Sequence, residues 1–226
     1  EESSTKITGN SMIFGKVKNI SIIDYINKVV EYIEENTQVK VDSYMILALL
    51  AQESRLNPEI NNNGIAQIAI NDSVYCNLNN GGKLEIKINN KKDPINSIDW
   101  TIVSYVGNYQ RLMEYRATIY DNPTIDPWYI LKLHNSGGNL RKVRQDWSNK
   151  YPLNKEGDEA FIKVFESFEG EGLEMFKVYL KYSGVNNIKI NNNTTYEKYT
   201  SSGRLYSDPR YIQNVQKYYV GEGAVK

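Results

Sequence analysis

A mainly α fold with one small β excursion is what this sequence predicts, on three observations. Apolar residues recur with helical spacing along most of the chain. Five of the six prolines follow Asn or Asp, a pairing that starts turns and places Pro at the first position of helices. In one segment alone, 73–88, Asn79-Asn80-Gly81-Gly82 separates Val74-Tyr75-Cys76 from the alternating Leu84, Ile86 and Ile88, which is a hairpin signal.

The elements follow in order. Residues 1–12 are polar from Glu1-Glu2-Ser3-Ser4-Thr5 onward and read as a tail or linker, leaving 13–226 as a single domain. No initiator Met, basic stretch or apolar stretch precedes them, so any targeting segment is expected to have been cut away or left out of this chain. Ile22, Ile23, Ile26, Val29, Val30 and Ile33 form a helical stripe, with Ser21 placed to cap it. A second helix starts at Asp42 or Ser43 and runs to Glu53 and Ser54; it is apolar nearly all round and therefore buried. After the hairpin, helical patterns occupy roughly 98–117, 127–134, 159–182 and 209–219. Residues 183–203, rich in Asn, Thr, Ser and Gly, read as a long surface loop.

Composition narrows the function. Lys+Arg 27 against Asp+Glu 27, with no basic block, gives no electrostatic track for a phosphate backbone, so nucleic acid is not an expected partner. No run of about 18 apolar residues occurs, so no membrane span is expected within these residues. Cys76 is the single cysteine and His134 the single histidine, which excludes an internal disulfide and a Cys/His zinc cluster. No metal or other cofactor is expected. One cysteine is compatible with the cytosol and equally with the exterior of a cell that does without disulfides.

The chemistry concentrates after the buried helix, in Glu53-Ser54-Arg55-Leu56-Asn57-Pro58. Pro58 disfavours helical geometry at Asn57, so the helix stops near Arg55 and Glu53 lies in its last turn. There the helix dipole and an apolar surround both oppose ionisation, and a carboxyl so held acts as a general acid. On this segment alone a solvated glutamate on the helix edge is the competing reading.

Three motifs in order decide between them: Glu53 to Pro58, Gly64-Ile65-Ala66-Gln67-Ile68, and Leu133-His134-Asn135-Ser136-Gly137-Gly138. Together they resemble the signature of the soluble lytic transglycosylase and goose-type lysozyme superfamily, over roughly 41–143. The resemblance implies a lysozyme-like α+β fold with the hairpin beside a glycan groove. It puts Glu53 in the place of the catalytic acid and Ser54 in that of the serine beside it. Ile65-Ala66 stands where the family has Leu-Met, and His134 stands where it has tyrosine. Tyr211, in Ser207-Asp208-Pro209-Arg210-Tyr211, matches the tyrosine of the family's closing helix.

Each position also has a reading of its own. Gly64 permits a backbone approach that a Cβ would block, or is an ordinary turn glycine after three asparagines. Gln67 offers donors and acceptors to an N-acetylated sugar. Asn135 binds an acetamido group, holds the acid, or caps a helix before Gly137-Gly138. His134 is read as packed or hydrogen-bonded rather than metal-bound. Tyr75, Tyr105 and Tyr109 lie where they could flank a groove and stack on sugars.

The resemblance implies cleavage of peptidoglycan at the β-1,4 bond between N-acetylmuramic acid and N-acetylglucosamine. As a transglycosylase, Glu53 would protonate the leaving oxygen and then deprotonate the muramic C6 hydroxyl, giving a 1,6-anhydro end. As a hydrolytic muramidase it would use water, which Asp72 is placed to position; the competing reading of Asp72 is a turn cap. The third alternative is an inactive glycan-binding piece of a cell-envelope machine. The bias toward Asn, Ile, Lys and Tyr points to an AT-rich genome, such as that of a low-GC Gram-positive bacterium or its phage. The expected setting is extracytoplasmic, in the cell wall or secreted, or on a phage particle.

Overall fold

The computed structural model describes residues 5–184, 189–201 and 207–221. Its first element lies where a tail is expected: β1 (Lys6–Ser11) pairs antiparallel with β2 (Gly15–Ser21). The expectation of a tail across 1–12 therefore fails over 6–11, and residues 1–4 lie outside the described residues. The reason is polar burial. Ile7 is the one apolar side chain that β1 buries, while its other inward position, Ser11, is buried by hydrogen bonding. Ser11 Oγ donates to Asp99 Oδ2 at 2.9 Å and accepts from the amides of Ile13 and Phe14 at 3.0 and 3.1 Å. The Met12 amide also donates to Asp99 Oδ2, at 3.2 Å, and the buried Tyr25 hydroxyl donates to Oδ1.

Asp99 is fully buried, and desolvation, partly offset by these donors, pushes its carboxyl up to about 6. The proton is thus held more tightly in the folded chain than in the unfolded one. Because the folded protein binds a proton that the unfolded chain has released, stability falls as pH rises from about 4 to about 6. In urea denaturation the margin of the wild type over Asp99→Asn is expected to narrow across that window. Tyr25→Phe, which leaves a buried carboxylate oxygen without its donor, is expected to lower stability by about 1 to 3 kcal/mol at pH 7.

The predicted caps are present. Ser21 Oγ accepts from the Asp24 amide at 3.1 Å and opens α1 (Ile22–Thr37), which buries Ile22, Ile26, Val29 and Ile33 from the predicted stripe. The Asp42 carboxylate accepts from the Tyr44 amide at 3.0 Å and opens α2 (Ser43–Ser54), buried from Met45 to Ala51. The predicted hairpin forms as β3 (Val74–Asn77) and β4 (Lys83–Ile86), with Cys76 and Ile86 turned inward. α3 (Pro94–Ala117) follows.

Where the sequence reads as one domain, the chain divides into two compact units: residues 1–110 with 213–226, and residues 111–212. The second unit holds α4 (Pro127–Ser136), α5 (Asn139–Asp146), α6 (Lys155–Ser167), α7 (Glu171–Tyr182) and α8 (Tyr196–Ser201). The single helix expected over 159–182 is two. Phe168 and Gly170 take positive φ, of 56° and 50°, and break it, while a Cβ on Gly172 would lie 2.0 Å from the Val164 carbonyl oxygen. Phe168 turns into an aromatic cluster with Phe176 and Tyr199, centroids 5.0 and 5.6 Å away. That burial stabilises the break. α8 likewise occupies part of the expected loop at 183–203, of which 185–188 and 202–203 lie outside the described residues. The chain closes with α9 (Tyr211–Gln216). Among the described residues the architecture is thus mainly helical, α+β, with two small antiparallel hairpins. No helix among them is long and apolar enough to cross a membrane.

Candidate functional site

α2 ends as its sequence requires. Arg55 takes a left-handed conformation, φ 52°, and its amide donates to the Ala51 carbonyl at 2.8 Å. Leu56 follows, also left-handed at φ 60°, and is buried. Two successive side-chain-bearing residues in that region are unfavourable, and the buried Leu56 side chain helps hold them there. Glu53 sits half-buried in the last turn before this reversal. Ser54 is 1% exposed, and its Oγ donates to the Leu50 carbonyl at 3.1 Å. Its hydroxyl proton is therefore committed to the end of the helix.

The loop after Pro58 is built on Gly64. Its φ is +70°, and an added Cβ would stand 1.7 Å from the Lys91 carbonyl oxygen, which itself accepts from Ser97 Oγ at 3.0 Å. Both of its sequence readings are realised: Gly64 lies in a turn, and the backbone of Lys91 approaches it closely. Gln67, at φ 52°, folds back on the same loop: Nε2 donates to the Gly64 carbonyl at 2.7 Å and to Asn61 Oδ1 at 3.0 Å. Asn61 Nδ2 returns a bond to Gln67 Oε1 at 2.8 Å. Gln67 is half-buried, so its amide braces the loop and still borders solvent. Ile65 is 1% exposed and anchors the loop from beneath. Asp72 is exposed, and its carbonyl accepts from Trp100 Nε1 at 3.1 Å just before β3.

His134, Asn135 and Tyr211 belong to the second unit. His134 and Asn135 lie in the last turn of α4, both half-buried. Desolvation pushes the His134 imidazole down to about 4, so it is neutral at physiological pH. Asn135 Oδ1 accepts from the buried Ser207 Oγ at 2.9 Å, and the helix is capped by left-handed Gly137. Tyr211 is 4% exposed at the start of α9. Tyr105 is 3% exposed, so it is a core residue and not a stacking platform; Tyr75 is exposed, with Lys83 Nζ 4.6 Å from its ring centroid.

The structure thus brings Glu53, Ser54, Gly64, Ile65, Gln67 and Asp72 into the first unit, and His134, Asn135 and Tyr211 into the second. Residues that support them were missed in the sequence. Asn61 locks Gln67, Ser97 and the Lys91 carbonyl cradle Gly64, and Ser207 holds Asn135. Asn61 carries a turn signal in Asn61-Asn62-Asn63; a main-chain carbonyl carries none. Among the described residues no group of three or more His, Cys, Asp or Glu could hold a metal. No protein-family model matches the chain, and neither a curated protein nor a solved structure matches it.

Proposed function

We propose that this protein cleaves peptidoglycan glycan strands at the β-1,4 bond between N-acetylmuramic acid and N-acetylglucosamine, as a lytic transglycosylase of lysozyme-like fold. One observation carries the reading. Of the six non-glycine residues with positive φ among the described residues, three, Arg55, Leu56 and Gln67, follow Glu53 within fourteen positions. Backbone held in that region concentrates where function fixes geometry. Here it fixes the exit of the helix that bears the carboxyl and the loop that follows it.

In this reading the Glu53 carboxyl gives its proton to the glycosidic oxygen as the bond to the anomeric carbon breaks. The substrate's own acetamido oxygen stabilises that carbon. The resulting carboxylate takes the proton of the muramic C6 hydroxyl, whose oxygen closes the 1,6-anhydro ring, and Glu53 is returned to its acid form. An intramolecular hydroxyl has the advantage of high effective concentration over water. The protein would act outside the cytoplasm, where this substrate lies. Asn135→Ala is expected to lower the rate of wall lysis about tenfold or more, within the range of about 1 to 3 kcal/mol for a lost buried hydrogen bond. Unchanged lysis by a folded Asn135→Ala protein would leave that residue no part in the reaction.

A hydrolytic muramidase is the second reading, favoured by the exposure of Asp72. Under the transglycosylase reading Asp72→Asn is nearly silent. A large loss of rate in Asp72→Asn, together with products whose ends are reduced by borohydride, would establish the muramidase instead.

A further inference from the structure

Apart from the residues proposed for glycan cleavage, the second unit contains a cavity of about 180 Å³, the room of about six water molecules. Four guanidinium groups line it: Arg111 and Arg116 from the end of α3, Arg141 and Arg144 from α5. None of the described residues that line it is acidic. The floor is buried, formed by Arg116, Arg144 and Tyr129, whereas Arg111 and Arg141 are half-buried and Gln145 is exposed, so the cavity reaches the surface.

The two arginines of the floor are held in place from behind. The buried Asp158 carboxylate, which does not line the cavity, accepts from Arg116 Nη2 and, at 3.0 Å, from Arg144 Nε. Arg144 Nη1 donates to the Tyr151 carbonyl at 2.6 Å and Nη2 to the Pro152 carbonyl at 2.7 Å. At the mouth, like charges crowd. Desolvation first, and the neighbouring Arg111 second, hold the Arg141 guanidinium below its usual range.

Two buried donors at the floor have no hydrogen-bond partner: the Tyr129 hydroxyl, on a fully buried side chain, and Arg116 Nε. Buried donors left unsatisfied are unfavourable in a folded protein. An acceptor bearing negative charge would satisfy both and relieve the crowding of the cations beside them.

We propose that this cavity is a binding site for a small oxyanion, the carboxylate or phosphate group of a larger ligand, gripped by Arg111 and Arg141 at the mouth and met by Tyr129 Oη and Arg116 Nε at the floor. Planar guanidinium forks match both groups, and an anion there would lie among four cations with its oxygens facing two unsatisfied donors. The site is independent of the glycan-cleavage reading and stands or falls without it.

Isothermal titration of the 226-residue chain with inorganic phosphate and with acetate, against sodium chloride at equal ionic strength, tests the site. Saturable binding of at least one anion above the chloride control is expected, and the preferred one assigns the ligand class. Arg141→Gln is expected to weaken it tenfold or more. Tyr129→Phe is expected to weaken it several-fold while leaving the melting temperature of the anion-free protein unchanged or raised, because it deletes an unsatisfied hydroxyl. That split separates a binding role from a structural one. Absence of saturable binding by both anions, or binding that both variants leave intact, would overturn the proposal.

Discussion

Glu53→Gln is expected to abolish cell-wall lysis while leaving the fold intact. The amide is nearly isosteric with the carboxyl but has no dissociable proton for the leaving oxygen, and general acid catalysis by a positioned side chain contributes about 10²- to 10⁴-fold. Here the loss should exceed that of a single step, because the same group is asked to act first as acid and then as base. Glu53 is half-buried at a helix end that Arg55 caps through its backbone, so the substitution leaves the helix termination untouched. Circular dichroism and the melting temperature should stay near the wild type while turbidity loss of purified walls stops. A folded variant that keeps more than a few per cent of the activity would move the acid to another residue.

Gly64→Ala is expected to have the largest effect on stability in the first unit. The added Cβ would stand 1.7 Å from a backbone oxygen, a separation that no side-chain rotation relieves, and the residue would also have to keep φ at +70°. The loss should be several kcal/mol, beyond ordinary overpacking, because the atom that must give way is main chain held by Ser97. A melting temperature within a degree or two of the wild type would mean that the loop re-forms elsewhere. The matched control is Gly81→Ala in the β3–β4 turn, where φ is also positive, at 86°, but a Cβ would meet nothing within 4 Å. That variant bears only the conformational penalty, so the difference between the two isolates the clash with Lys91.

Much of the helical framework was legible in the residues. Ser21 and Asp42 cap where the spacing placed them, and the run from Met45 to Ala51 is buried as its uniform hydrophobicity demands. The 73–88 hairpin was legible because its turn residues are specific. What escaped is polar or long-range. β1 hides because one of its two buried positions is Ser11, stabilised by Asp99, eighty-eight residues away. The break between α6 and α7 was signalled by Gly170 and Gly172, yet the apolar period continues through Phe168, which is buried in spite of the break.

The candidate site divides in the same way. Glu53, Gly64 and Gln67 could be picked from the sequence as a pattern of chemical types at close spacing. The bond that turns Gln67 inward to Asn61 could not, since an amide side chain fits sugar, water or a neighbouring amide equally well. The arginine-lined cavity left no trace either, because Arg111, Arg116, Arg141 and Arg144 form no local motif and meet only once two helices pack.

Glycan cleavage is tested most directly by mass spectrometry of the muropeptides that the wild-type protein releases from purified sacculi. Soluble fragments ending in 1,6-anhydro-N-acetylmuramic acid, absent from a Glu53→Gln digest, are the predicted result. Failure of the folded wild-type protein to release any muropeptide would contradict it.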